Sequence, residues 1–481
     1  MSTLVSYSKK NIMRDDPGRV DGIVMAAGIL VSSILILCAA RGDLWLDEIW
    51  SIAIAESART PWEIVSVYKH DNNHVLNTLY LYFLGTQSHL IVYRLLSVLS
   101  GILSIAVMAT IARKWGRLES ILVILFAGIS YPLILYFSEA RGYSTAMLLA
   151  LLALYILQEY QRKPTLLKRV LFWLMALFGI LSHISFIIIA AALSIYIMYY
   201  EVSLRQSFSS GMLNAAKLLS VPFIGISVFY AYFVKNITIG GGDVNSIPAE
   251  TAWGIAYLTG LPDGLVYLGF PTAIASIAVG VYFFIKQKDA IGVFYLSATF
   301  LAPLLLLIIT RPAVYYFRYL VVCFLFYYLL MTHAFGKAYK SNKYVKLLLI
   351  AVSLLYIIGQ TQRIVPFLEL GRGNYRKILA EMSERTQGNI LTIGSDHDFR
   401  NKMLVSFYSR FIKPPKEINY IDRSDWNARA PEWIITHSTD PLYEPLPWLI
   451  VSDREQYKLL RSEKFYRNSG LSWFLYHKEG S

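Results

Sequence analysis

GIVMAAGILVSSILILCAARGDLWLDEIWS, residues 22–51, sets the reading of the whole chain. Residues 22–40 carry no charge, and the chain then turns polar at Arg41, Asp43, Asp47 and Glu48 among Trp45 and Trp50. An uncharged apolar run of this length is first a membrane span. It is too long for the core of a signal peptide, and no small-residue cleavage site follows it. With Lys9, Lys10, Arg14 and Arg19 ahead of it, it reads as a retained first span with a cytoplasmic N-terminal segment, 1–21.

Composition agrees. Of 481 residues 56% are hydrophobic and only 16% charged, against about 25% charged in soluble domains. The net charge of +13 is spread in short basic groups between apolar runs, which suits cytoplasmic loops and excludes a nucleic-acid surface. Cys38 and Cys323 both fall inside apolar runs, so no disulfide framework or metal-ligand spacing is read from them.

Spans are expected at about 22–40, 92–112, 119–137, 143–159, 167–182, 184–200, 216–234, 265–285, 291–310, 316–335 and 344–361. The expected fold class is therefore mainly α, a polytopic membrane protein of about 11 transmembrane helices. Arg113, Lys114 and Arg117, then Arg162, Lys163, Lys168 and Arg169, then Lys337, Lys340, Lys343 and Lys346 cluster on one side. The other side receives mostly isolated cations, so the positive-inside rule sets the orientation. The region 41–91 is too polar to cross. Its amphipathic pieces DEIWSIAIAES, TPWEIVSVY and HVLNTLYLYFL read as interfacial helices of a first outer loop, with Thr60 and Pro61 starting the second. Reading HVLNTLYLYFLG as a short span would invert everything downstream, against the charge bias. The domain expectation is thus 22–364 for the membrane domain and 365–481 for a small external α/β domain. In the latter, NILTIG, EINYI, EWIITH, PWLIV and LSWFLYH are strand-like and NYRKILAEMSERT and DFRNKMLVSFYSRF helical.

Ionisable groups near a membrane are costly unless solvated or paired, so their positions carry information. Four groups fall on the outer side: Asp47 and Glu48; Asp71, Asn72, Asn73 and His74; Glu139, Arg141 and Tyr143; and Arg318 with Tyr319. Arg94 and His183 join them. Each alone has an ordinary reading as a solvated helix start, a snorkelling arginine, an interior histidine or a structural ion pair. Together they describe a site for a phosphorylated lipid and a nucleophile. Arginine takes phosphate with a planar fork, and a carboxylate takes a proton from an attacking hydroxyl.

From about residue 20 to 335, in motif order and hydropathy, the chain resembles the GT-C-fold glycosyltransferases. It is most similar to the group of protein O-mannosyltransferases and bacterial lipid-A sugar transferases (glycosyltransferase family 39-like). The shared pattern is a first span, W-x-D-E-x-x-S, D-x-x-H, an arginine opening the next span, S-x-E-A-R-x-Y and a late R-Y. The resemblance implies catalytic roles for Asp47 as general base, Glu48 and Asp71, and donor-phosphate binding by Arg94, Arg141, Arg318 and Tyr319. It places His74, Glu139, Tyr143 and His183 in the substrate pocket. Val75 stands where the family has a proline, and the C-terminal region matches no module we can name.

The implied reaction transfers a sugar from a polyprenyl-phosphate donor to a glycan, lipid or protein acceptor, with inversion. It takes place at the non-cytoplasmic face of a plasma or inner membrane. No cofactor is required; the carboxylates and His74 offer ligands to a divalent metal. The alternative reading is a transporter of a lipid or a small anionic solute. Transporters place ionisable groups near the midplane on related repeats, whereas here they lie at span ends on one side and no internal repeat is seen. A non-catalytic scaffold leaves the acidic and arginine groups unexplained.

Overall fold

The computed structural model describes residues 19–205, 207–240, 246–312, 315–440, 442–452, 455–466 and 469–479. The expected cytoplasmic segment 1–21 lies almost wholly outside them. The chain forms two compact units, one of 1–37, 60–80 and 94–362, the other of 38–59, 81–93 and 363–481.

The first unit is helical. Its main helices are α1 (Arg19–Ala39, whose last two residues belong to the other unit), α4 (Leu90–Arg113, entered from the other unit), α5 (Arg117–Gly128), α6 (Tyr131–Phe137), α7 (Tyr143–Arg162) and α8 (Leu166–Ser182). They are followed by α9 (Phe186–Arg205), α10 (Phe208–Tyr232), α11 (Ile247–Thr259), α12 (Gly269–Lys286), α13 (Ile291–Leu296), α14 (Ala302–Thr310), α15 (Val321–Tyr339) and α16 (Lys343–Leu370). The 3-10 turn Phe317–Leu320 leads into α15. Val321 to Ala334 of α15 are all buried, as expected of a helix apolar on every side that sits inside a bundle. By contrast, α10 buries only Gly211, Ala215, Leu218 and Pro222, a single stripe, while Phe223, Ile224 and Val228 face outward. Such apolar outer faces suit a hydrocarbon solvent.

Among the described residues nine helices are long and apolar enough to cross a membrane, or ten if the bent pair α5–α6 counts as one span. The expected eleven is not reached, because α8 has only 17 residues, short of the roughly 20 a perpendicular span needs. In 41–91, DEIWSIAIAES folds as α2 (Leu46–Ser57) and HVLNTLYLYFL as α3 (Val75–Leu84). At 1.5 Å per residue α3 is about 15 Å long, half of a bilayer core. TPWEIVSVY yields only the turn Glu63–Ser66, and the Thr60 cap expected there is not made; the N-cap is Trp62, without a side-chain bond.

The 68° bend between α5 and α6 frees backbone groups that lipid cannot satisfy. Polar side chains of distant helices reach it. Tyr131 N–H donates to Gln360 Oε1 at 2.8 Å, and Gln360 Nε2 donates to Tyr257 O at 3.0 Å. Tyr356 OH donates to Phe126 O at 2.5 Å, and Ser130 Oγ lies 2.8 Å from Tyr328 OH. Pro132, with no N–H to lose, opens α6. This bend delivers the segment 138–142 to the start of α7.

In the second unit α17 (Tyr375–Arg385) and α18 (Asp398–Tyr408) pack with a six-stranded sheet of order β2-β1-β3-β6-β5-β4. Strands β1 (Ile390–Ser395), β2 (Glu417–Tyr420) and β3 (Trp433–Ser438) are parallel; β4 (Trp448–Ser452), β5 (Glu455–Glu463) and β6 (Ser472–Lys478) add antiparallel. Ile434, Tyr457, Phe474 and Tyr476 form a buried cluster on the sheet. Strand β5 was not expected. Its sequence EQYKLLRSE is rich in helix formers, and pairing along both edges overrides that propensity.

Replacing Gln360 by Leu removes the bridge between the broken span and α11. It should destabilise the protein by about 1–3 kcal/mol, read as a lowered Tm in detergent; an unchanged Tm would show that the bend does not depend on Gln360.

Candidate active site

Within the helical unit, the loops around α3 and α7 converge on two histidines. His74 sits directly before α3 and His183 directly after α8, and both are buried. Their ring centroids are 4.6 Å apart, and the Tyr143 ring lies 4.0 Å from His183 and 5.4 Å from His74. Gly142 N–H donates to His74 Nδ1 at 2.9 Å, and Ser185 N–H to His183 Nδ1 at 3.1 Å. Each ring therefore uses Nδ1 as an acceptor, which in the neutral form leaves the proton on Nε2. Burial holds both histidines well below their usual pKa. The nearby charges of Arg141 and Arg318 act in the same direction on both, and for His74 the His183 ring does too. Two neutral imidazoles thus offer N–H donors beside cationic groups.

Glu139 and Arg141 come from the segment that follows the bend, and both are buried. Arg141 Nη2 donates to Asn72 Oδ1 at 2.8 Å, and its guanidinium carbon lies 5.0 Å from the Tyr143 ring centroid. The carbonyl of Arg141 accepts from Ser97 Oγ at 3.0 Å, while Ser144 Oγ donates to Ser97 O at 2.6 Å. Ser97 is one turn beyond Arg94 on α4, and Arg94 is fully buried, which rules out snorkelling to exposed headgroups. Arg318 lies over Tyr316, 4.5 Å from the ring centroid, and 6.0 Å from that of Tyr319. Phe317 N–H in the same turn donates to Glu250 Oε2 at 3.4 Å. Burial raises the Glu250 pKa against the pull of that amide and of Arg318.

Asp71 is less enclosed. His70 Nδ1 is 2.8 Å from its carboxylate, and Gly240 N–H donates to it at 3.2 Å. Burial pushes this carboxyl up, but His70, the Gly240 amide and Arg141 together hold it below its usual value. Asp71 N–H also donates to Thr238 O at 3.1 Å, which ties the loop to the residues after α10.

Sequence reasoning passed over several groups that build this site. Asn77 Nδ2 donates to Ala140 O at 2.9 Å, and its position three residues after His74 puts it on the same face of α3. A Cβ on Gly142 would fall 1.8 Å from Ser182 O and 2.9 Å from His74 Cβ. Asn77 Oδ1, Thr78 Oγ1 and the Tyr143 hydroxyl are buried without a hydrogen-bond partner among the described residues. Buried polar atoms are nearly always paired, and a polar ligand would supply what these lack.

Asp47 and Glu48 belong to the other unit. Both lie in the first turn of α2. Glu48 is buried and accepts from Trp45 N–H at 3.1 Å, so it caps its own helix. Asp47 is half-buried, and its carbonyl accepts from Ser51 Oγ at 3.1 Å. For a divalent metal the described residues supply no set of three or more His, Cys, Asp and Glu ligands. His74 Nδ1 and the Asp71 carboxylate are engaged as above.

No protein-family model matches the chain, and no curated protein sequence matches it. Solved structures do. The apo crystal structure of ArnT from Cupriavidus metallidurans aligns over 94% of this chain and 97% of its own, at 12% identity and a TM-score of 0.52. The Archaeoglobus fulgidus oligosaccharyltransferase, in complex with Zn and sulfate, aligns over 86% of this chain and 67% of its own, at 12% identity and a TM-score of 0.52. The same ArnT bound to undecaprenyl phosphate gives 13% identity and a TM-score of 0.49, over 94% and 97% of the two chains. The chain has the GT-C fold, as its motif order led us to expect, with a small β-sheet unit at its C-terminal end.

Gly142→Ala should cost about 1–3 kcal/mol or more through overpacking, measured as a Tm loss in detergent; retention of the wild-type Tm would contradict the packing described. A second expectation concerns pH. Because both histidines are held neutral when folded, the unfolded chain binds more protons below its ordinary value of 6.5. Their contribution is complete above that pH and is lost as pH falls below it. A His183→Phe variant should therefore lose less Tm between pH 7.5 and 5.5 than wild type does; equal losses would contradict this.

Proposed function

We propose that this protein is a membrane glycosyltransferase that moves a sugar from a polyprenyl-phosphate carrier to an acceptor hydroxyl on the non-cytoplasmic side. The observation that carries this reading is the buried cationic group of the helical unit. Arg94 and Arg141 are buried, Arg318 lends its field to the same histidines, and the Tyr143 ring, whose hydroxyl has no hydrogen-bond partner among the described residues, lies 5.0 Å from the Arg141 guanidinium. A lipid phosphate is a ligand that a membrane-embedded fork of arginines suits. The fold is shared with ArnT, a protein solved with undecaprenyl phosphate bound.

In this reading Arg94, Arg141 and Arg318, with Tyr319, hold the donor phosphate and stabilise its charge as it leaves. The neutral His74 and His183 donate Nε2–H to substrate oxygens, and Tyr143 offers its hydroxyl. Asp71 orders the loop that bears Asn72 and His74. Asp47 takes the proton of the acceptor hydroxyl, whose oxygen attacks the anomeric carbon as the bond to phosphate breaks. In-line displacement inverts that centre. Glu48 serves Asp47 by capping α2, and no step is routed through a metal. The acceptor is a glycan, lipid or protein, and the chain acts in a plasma or inner membrane with its N-terminus cytoplasmic.

The test is transfer of radiolabel from polyprenyl-phosphate sugars to membrane extract by purified protein, wild type against Asp47→Asn. Loss of a general base costs on the order of 10²–10⁴ in rate, so the variant should be nearly silent. Equal transfer by wild type and variant would remove Asp47 from the role. Intact donor in both would remove the reaction.

A further inference from the structure

Helix α2, which bears Asp47, belongs to the same compact unit as the C-terminal sheet, and its anchorage there is polar at both ends. Ahead of the helix, Ala39 O accepts from Arg372 Nη1 at 2.9 Å and Leu44 O from Tyr408 OH at 2.6 Å. Asp43, only 5% exposed, takes the Arg376 backbone N–H at 3.0 Å and its Nε at 2.5 Å. Along the helix, Trp50 meets Phe399 edge-on at 5.2 Å. At its end, Arg410 gives two parallel bonds, both 2.7 Å, to the two oxygens of Glu56, and Thr86 Oγ1 adds a third contact at 3.3 Å.

These pairings fix more than proximity. Trp50 is matched to Phe399 at the start of α18 and Glu56 to Arg410 in the turn just after it, so α2 and α18 run side by side in the same direction. Apolar contact between two helices limits their spacing but tolerates rotation. A bidentate fork narrows that rotation, because it aligns two N–H bonds with two oxygens at once. A helix is stiff over the two and a half turns from Glu56 to Asp47, so a rotation fixed at one end is fixed at the other.

We infer that the C-terminal α/β unit is the mount of the proposed base: Arg410 through Glu56, and Arg376 through Asp43, are positioning residues that set the placement of Asp47. The inference rests on the reading of Asp47 as the base, and it differs from a role for this unit in choosing the acceptor. Severing the mount changes turnover, whereas loss of an acceptor-binding surface changes acceptor range and KM.

The experiment uses the full chain and radiolabelled polyprenyl-phosphate sugars, with activity normalised to the folded fraction from size-exclusion chromatography. The variants are Glu56→Gln, Arg410→Lys and the exchanged pair Glu56→Arg with Arg410→Glu, beside Asp47→Asn. A misplacement near 1 Å costs on the order of 10²-fold, so Glu56→Gln should lower kcat per folded molecule by about 10- to 100-fold with donor KM within about twofold. Arg410→Lys, which keeps the charge without the fork, should fall between it and wild type, and the exchanged pair should recover most of the loss. Wild-type kcat per folded molecule in Glu56→Gln, or a change confined to KM, overturns the inference while a silent Asp47→Asn leaves the base in place. An active Asp47→Asn overturns the base and the mount together.

Discussion

Enclosing Arg94 and Arg141 in an apolar bundle is the constraint on which the rest of the helical unit depends. In a low-dielectric interior each cation has to be met by dipoles or an anion. For Arg141 the side-chain oxygen of Asn72 supplies one such dipole. The bend between α5 and α6 ends one helix early and brings the Glu139–Gly142 segment inward, where Ser97, Asn72 and Asn77 grip it. The same segment sends the Gly142 amide to His74, so one stretch of broken helix sets the guanidinium, the imidazole tautomer and the Tyr143 ring together.

The second unit solves a different problem. The segment after the first span buries Leu44, Trp45, Leu46, Ile49 and Ile52, and its polar backbone and side chains find partners as well. The residues after α1 are bonded to Arg376 of α17 and Tyr408 of α18, helices that pack with a sheet of six strands. The helical unit thus carries Arg94, Arg141 and Arg318, and a unit of separate architecture carries Asp47.

Much of this was legible in the chain. Apolar runs mark the spans because hydrocarbon demands them, and the polar groups stood out because charge is rare there. Five strands and both helices of the C-terminal unit could be read from turn-bounded apolar segments. What escaped has physical reasons. The bend at Ser130–Pro132 lies inside one continuous apolar run, and its support comes from Tyr328, Tyr356 and Gln360, some 200 residues away in sequence. Strand β5 owes its conformation to its neighbours on both edges rather than to its residues. The importance of Gly142 lies in the Ser182 carbonyl, which only the folded chain brings against it. The gathering of 38–59 and 81–93 with the C-terminal residues depends on pairings such as Glu56–Arg410, for which a lone sequence gives no signal.

The central claim is that the buried arginines serve a lipid phosphate, and donor binding tests it without relying on any particular acceptor. Native mass spectrometry of the protein in nanodiscs should detect one bound undecaprenyl phosphate that the phosphate-free polyprenol does not displace. The bound lipid should be lost from a folded Arg141→Gln variant. Equal occupancy by the uncharged polyprenol, or undiminished phosphate-lipid binding by the variant, would contradict the account.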